Sequence, residues 1–69
     1  MNEINLGAGE VLRGALAIAA YYSELLGEPV TDKNIYYWFA RGYVPGGKFA
    51  GILTSTKTKI REKLTEVLR

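Results

Sequence analysis

Apolar residues in the first third of the chain recur at intervals of three and four residues. They are Val11, Ala15, Ile18, Ala19, Tyr22, Leu25 and Leu26. This spacing predicts a helix with one apolar face, and Gly27 is expected to cap its C-terminus. Its start stays open, because a glycine inside a helix costs about 1 kcal/mol relative to alanine. The helix begins either near Gly14, with residues 10–13 extended before it, or near Gly9 with Gly14 tolerated.

A second helix is predicted after the segment "GEPVT". Pro29 disfavours helical backbone at the residue before it. Thr31 is a good N-cap, and Asp32 places a negative charge in the first turn, where the helix dipole favours it. The helix is expected to run to about Arg41, and Gly42 ends it.

The second helix is predicted to have two unlike faces. At about 100° per residue, Ile35, Trp38 and Phe39 share one face and are expected in the core. The opposite face carries four residues that we call the polar row: Lys33, Asn34, Tyr37 and Arg41. Tyr36 lies at the border. A domain this small cannot bury both faces, so the polar row is expected in water, where cations can neutralise phosphates and Asn or Arg can pair with base edges.

A β-hairpin and a third helix are predicted in the remainder of the chain. The runs "GKF" and "ILT" flank Ala50-Gly51, a two-residue turn that contains glycine, and Lys48 is expected near the exposed edge. Ser55 is the expected N-cap of the last helix. The apolar stripe of that helix is Ile60, Leu64, Val67 and Leu68. The expected fold class is therefore mainly α with a small β-hairpin, in the order helix, turn, helix, hairpin, helix.

Composition narrows the possible functions. Sixty-nine residues make one domain; residues 1–7 are expected to be a flexible segment and residues 8–69 the domain. The absence of cysteine and histidine excludes disulfides and zinc–thiolate sites. It also argues against an enzyme, since Ser23 and Ser55 have no base beside them in sequence.

The longest apolar run has eight residues, and about 20 are needed to span a bilayer. We expect a soluble, cytoplasmic protein without cofactor, metal or small-molecule ligand.

Charge is divided unevenly along the chain. Residues 1–32 hold five acidic residues and one basic residue, a net of −4, whereas residues 33–69 hold eight basic and two acidic residues, a net of +6. This asymmetry indicates a polyanionic partner. The alternative is that the lysines only keep a surface helix solvated.

The segment "NIYYWFARGYVPGGKFAGILTSTKTKIREKL" resembles the small winged-helix excisionase-like proteins and the related MerR-type DNA-binding headpieces. The shared pattern is carried by Asn34, Ile35, Tyr37, Trp38, Gly42, Val44, Pro45, Gly51 and Ser55. With the preceding helix and turn, the resemblance covers roughly residues 14–68. It implies a winged helix-turn-helix, in which the second helix enters a major groove of double-stranded DNA and the hairpin is the wing.

The resemblance also implies a role. Excisionase-like proteins bind tandem sites cooperatively, bend DNA and direct an integrase toward excision of a mobile element, so copies of the chain itself and an integrase are expected partners. The expected DNA-contacting residues are Thr31, Lys33, Asn34, Tyr36, Tyr37, Arg41, Lys48, Lys57 and Lys59, the last two as phosphate contacts beside the amides of a helix N-terminus. One alternative is a small transcriptional regulator with the same fold. Another is a protein-interaction module that uses Tyr21, Tyr36, Tyr37 and Tyr43 as a docking patch.

Overall fold

The described part of the chain is mainly helical and carries a small antiparallel sheet. The computed structural model describes residues 10–68. Its elements are β1 (Val11–Arg13), α1 (Ala15–Leu26), α2 (Asp32–Ala40), β2 (Gly47–Phe49), β3 (Ile52–Thr56) and α3 (Lys57–Leu68). The predicted flexible segment at residues 1–7 and the start of the domain at residue 8 lie outside these residues. In residues 10–68, no helix combines the length and apolar character needed to cross a membrane.

The first helix begins at the later of the two predicted positions. Gly14 precedes it with φ +93°, and the residues before Gly14 are extended in β1. Gly27 caps its C-terminus in the left-handed conformation, as predicted. The predicted apolar face is only partly right. Tyr21 is buried although it was not assigned to that face, whereas Leu25 and Leu26 are each 38% exposed.

The sheet has the strand order β1-β3-β2, with both pairs antiparallel. The hairpin of β2 and β3 is confirmed. Its turn residues, Ala50 and Gly51, have φ of +55° and +80°, the positive values that a two-residue type I′ turn requires. Gly46 also needs to be glycine, because a Cβ there would lie 2.3 Å from the carbonyl oxygen of Thr54.

The predicted start of the third helix is wrong. Ser55 lies inside β3 and is only 4% exposed. Strand alternation turns it to the core side with Leu53, so it cannot cap α3. Thr56 does so instead: its Oγ1 accepts a hydrogen bond from the Lys59 amide at 3.2 Å.

The core is built from all three helices and the sheet. Ile18, Ile35 and Ile60 are fully buried, one from each helix, and Leu12 and Leu53 close the core from the sheet side. Trp38 and Phe39 are half-buried and pack against this cluster, which confirms the predicted inner face of α2. The stripe of α3 is shorter than predicted, because Val67 and Leu68 are 66% and 74% exposed.

Candidate nucleic-acid interface

The start of α2 is fixed by a reciprocal cap. The Asn34 amide donates to Thr31 Oγ1 at 3.2 Å, and Asn34 Oδ1 accepts from the Thr31 amide and from the Thr31 hydroxyl, both at 3.1 Å. Thr31 is therefore the N-cap of α2, as predicted. Asn34 takes the place that Glu or Gln occupies in a capping box. The spacing Thr-x-x-Asn is the sequence signal for this second role.

This cap limits what Asn34 can contact. A bidentate contact to adenine needs the amide oxygen as acceptor and the amide nitrogen as donor. Because Oδ1 already accepts two hydrogen bonds, Asn34 can offer only its Nδ2 group while the cap is intact. The sequence predicts Asn34 as a DNA contact, and the structure adds a structural role that competes with it.

The segment that connects α1 to α2 is tied to α1 by a serine. Ser23 Oγ accepts a hydrogen bond from the Val30 amide at 2.9 Å and donates to the Ala19 carbonyl at 2.9 Å. The first bond fixes the connection between the helices one residue before Thr31. Tyr22 and Trp38 add an edge-to-face contact with ring centroids 5.6 Å apart. No local pattern in the sequence predicts this role of Ser23, because it depends on the packing of the two helices.

The polar row points into water, as predicted. Its four residues are exposed, whereas Ile35 on the opposite face is fully buried. Tyr37 is 56% exposed, and Tyr36, which was placed at the border of the two faces, is 58% exposed. Cations and tyrosines therefore share one continuous exposed surface of α2.

Arg41 and Tyr37 form a stacked pair at the end of α2. The Arg41 guanidinium carbon lies 4.5 Å from the centroid of the Tyr37 ring. Arg41 is the C-cap of α2, a position where the helix dipole favours a cation. Arg41 is exposed, and a guanidinium that stacks on an aromatic ring keeps its N–H edge available, the group that pairs with guanine O6 and N7 or with phosphate.

The three predicted lysines outside α2 lie in different places. Lys48 is exposed in β2. Lys59 lies beside Pro45, which leads into the hairpin, and its Nζ is 4.0 Å from the Glu62 carboxylate. Lys57 is half-buried against α1, with its Nζ 5.3 Å from the centroid of the Tyr21 ring.

Arg61 contacts the same tyrosine as Lys57. Its Nη1 donates to the Tyr21 hydroxyl at 2.8 Å, so Tyr21 joins α3 to α1 through two cations. Tyr21 is buried, at 8% exposure. The protein-interaction alternative is therefore wrong in including Tyr21 in its exposed tyrosine patch.

The N-terminus of α3 is already occupied by groups of the chain itself. The Lys57 amide donates to the Glu10 carbonyl at 3.0 Å, and the Thr58 amide donates to Glu10 Oε2 at 3.0 Å. Hydrogen bonds from the hydroxyl and amide of Thr58 hold the pKa of Glu10 below its usual value. Thr56 accepts a hydrogen bond from the Lys59 amide as well. The sequence predicts that these amides are open to phosphate, and this prediction is wrong because groups of the chain already occupy them.

A groove opens between the three helices. Its volume is about 420 Å³, and it is lined by Tyr22, Leu26, Trp38, Tyr43, Lys63, Leu64 and Val67. Burial raises the pKa of the Tyr22 phenol above its ordinary value. Tyr43, at 57% exposure, borders the groove rather than the polar row.

Neither the models of protein families, nor the curated proteins, nor the solved structures contain a match to this chain. The case for a function is therefore made from the polar row, the hairpin and the charges around them.

Proposed function

We propose that this chain binds double-stranded DNA as a winged helix-turn-helix, with α2 in the major groove and the β2–β3 hairpin as the wing. The observation that carries the proposal is the polar row: exposed cations and a tyrosine on a helix whose other face is anchored through Ile35. A helix held in this way has its backbone already ordered, so little backbone entropy is lost on binding.

The residues of α2 divide between two kinds of contact. Arg41, stacked on Tyr37, has the restrained guanidinium edge that bidentate contact to guanine needs. Lys33 is a flexible point charge suited to phosphate. Asn34 holds the cap and adds one donor, and Tyr36 supplies a phenol beside the row. Specificity would then come mainly from Arg41 and Tyr37.

Lysines on the hairpin side extend the contact with the backbone. Lys48 is exposed on β2, and Lys59 lies at the base of the hairpin beside Pro45. Each phosphate neutralised releases counterions, so log K falls by about 0.9 per contact for each unit of log salt. Lys57 contributes less direct contact in this arrangement because it packs on Tyr21.

Fluorescence anisotropy with a duplex selected by the protein from a random-sequence pool tests the proposal. The variant Tyr37→Ala with Arg41→Ala is expected to lose affinity at least tenfold at low salt, about the value of one good bidentate contact. The matched control, Tyr43→Ala with Lys63→Ala, also removes one tyrosine and one cation, but at the groove, and is expected to bind like the wild type. Equal affinities for the two double variants, or no binding by the wild type, contradict the proposal.

The biological role that fits best is that of an excisionase: cooperative binding to tandem sites, in company with further copies of the chain and an integrase, to direct excision of a mobile element. The resemblance of residues 14–68 supports this role, and the small size of the proposed DNA-binding surface is compatible with it. A transcriptional regulator would use the same surface. Footprinting on the DNA flanking the gene separates them, because an excisionase is expected to protect repeated sites at an attachment site and a regulator to protect a promoter.

A second candidate is a protein-interaction module. The observation in its favour is the apolar groove, where Leu26 and Val67 are 38% and 66% exposed beside Tyr43. Under this alternative the groove variant, rather than the polar-row variant, would lose its partner.

A further inference from the structure

The tip of the hairpin carries an exposed apolar pair. Phe49 and Ile52 are directly opposed in the register of β2 and β3 and form the last pair before the turn. Phe49 is 67% exposed, more than any other aromatic residue in the described part of the chain, and Ile52 is 39% exposed. Phe49 is not among the side chains that pack against the core, so its ring is open to a partner.

Strand alternation places this pair on the outward face of the sheet. Leu53 and Ser55 are buried on the inner face, so Ile52, Thr54 and the residues opposite them face outward. Arg13 is opposite Thr54 in the register. It therefore lies on β1, one strand across from β3 and about 7 Å further along the sheet than Ile52. The outward positions of the three strands are Val11, Arg13, Gly47, Phe49, Ile52, Thr54 and Thr56. They include no acidic residue.

We propose that Phe49, supported by Ile52, is an apolar wedge that enters the minor groove of bound DNA between two base pairs and kinks the duplex. The inference rests on the proposed DNA-binding function and adds a mode of binding to it. The chemistry that favours DNA over a protein partner is the combination of an apolar tip, the cation Arg13 on the same outward face, and no carboxylate among the outward positions of the strands. The minor groove is flanked on both sides by phosphates, which attract cations.

The width of the hairpin explains why the wedge bends DNA. Two strands lie about 4.8 Å apart, and side chains at the tip make the hairpin wider than the minor groove of B-DNA, about 6 Å. Entry therefore requires a wider groove, which partial unstacking of a base step provides. Apolar side chains inserted in this way kink a duplex by about 20–90°. Pyrimidine–purine steps unstack most easily, so TA or CA steps are expected at the wedge position.

Bending is tested with a duplex of about 30 base pairs, roughly three helical turns. The wild type selects this duplex from a random pool, and its two ends carry fluorescent labels for energy transfer. Saturating wild type is expected to shorten the end-to-end distance, and Phe49→Leu to retain most of that shortening. Phe49→Ala is expected to abolish it and to weaken binding about tenfold, the worth of a buried apolar side chain. The charge-only control Arg13→Ala is expected to lower affinity and the salt slope while the saturated complex stays bent.

The outcomes separate the wedge from the function on which it rests. If the wild type binds no duplex, the proposed function fails. If the wild type and Phe49→Ala bind and give the same end-to-end distance, the wedge is wrong and DNA binding stands. Loss of all binding in a folded Phe49→Ala protein also overturns the wedge, because the polar row should still hold the duplex. Unaltered DNA binding with loss of a protein partner would assign the tip to protein contact instead.

Discussion

The helix α2 and the β2–β3 hairpin reach solvent in opposite ways. α2 is fixed on its inner face by Ile35, at its start by Thr31 and Asn34, and through Ser23 to α1. The hairpin joins the body of the protein through β3, all three residues of β2 are exposed, and its turn holds Ala50 at positive φ.

The difference shows how two kinds of contact can be built in fewer than seventy residues. A rigid helix presents hydrogen-bonding groups at set positions, which base recognition needs. A hairpin with little core behind it can change its angle at low cost, which suits a groove whose width depends on sequence. Under the proposed function, α2 would supply specificity and the hairpin would adapt to the shape of the DNA.

The largest expected difference in the free energy of unfolding comes from making the same substitution, isoleucine to alanine, in each region. Ile35→Ala removes a fully buried side chain and is expected to lower the free energy of unfolding by about 2–5 kcal/mol. Ile52→Ala, at the hairpin tip, is expected to cost about 1 kcal/mol or less. Urea denaturation followed by circular dichroism measures both. Equal losses would mean that the hairpin is as firmly held as α2.

A smaller effect of opposite sign is expected at the hairpin turn. Ala50 has φ +55°, which costs a residue with a Cβ about 1–2 kcal/mol, while glycine loses about 0.5–1 kcal/mol of backbone entropy. Ala50→Gly is therefore expected to stabilise the protein by about 0.5–1 kcal/mol on the same scale. Gly51→Ala, at φ +80°, should destabilise it. The hairpin would not be under strain if Ala50→Gly also destabilised the fold.

The smallest effect concerns the link between Glu10 and α3. Hydrogen bonds from Thr58 lower the Glu10 pKa from its ordinary value of 4.5. The stabilisation is therefore complete above that ordinary value and is lost as the pH falls through the lowered pKa of the folded state. The melting temperature of the wild type is expected to exceed that of Glu10→Gln slightly at pH 7, and the difference to vanish in acid. A difference that is constant with pH would show that the charge of Glu10 has no part in it.

Local signals predicted the parts of the molecule whose structure is decided locally. Thr31, Gly27 and the Ala50-Gly51 turn each act through their own backbone conformation or a near neighbour, and all three predictions are confirmed. The two faces of α2 followed from helical spacing alone. The same spacing gave the exposure of the polar row, the part of the candidate site on which the proposed function depends.

What the sequence could not show depends on contacts between distant residues. β1 has three residues, and only its pairing with β3, more than forty positions away, makes it a strand. That pairing brings Glu10 to the start of α3, and the packing of α3 on α1 turns Lys57 toward Tyr21. Ser55 and Thr56 are both favoured cap residues in isolation, and serine is the better of the two. The alternation of β3 decides between them by burying Ser55.

The central claim is that the polar row contacts duplex DNA, and amide chemical shifts test it most directly. A selected duplex is titrated into ¹⁵N-labelled protein, and the shift of each backbone amide is followed by two-dimensional NMR. The largest changes are expected in residues 31–41, with a second group in residues 47–52. Changes confined to the amides of the groove residues Tyr22, Leu26 and Leu64, or no changes at low salt, would contradict the claim.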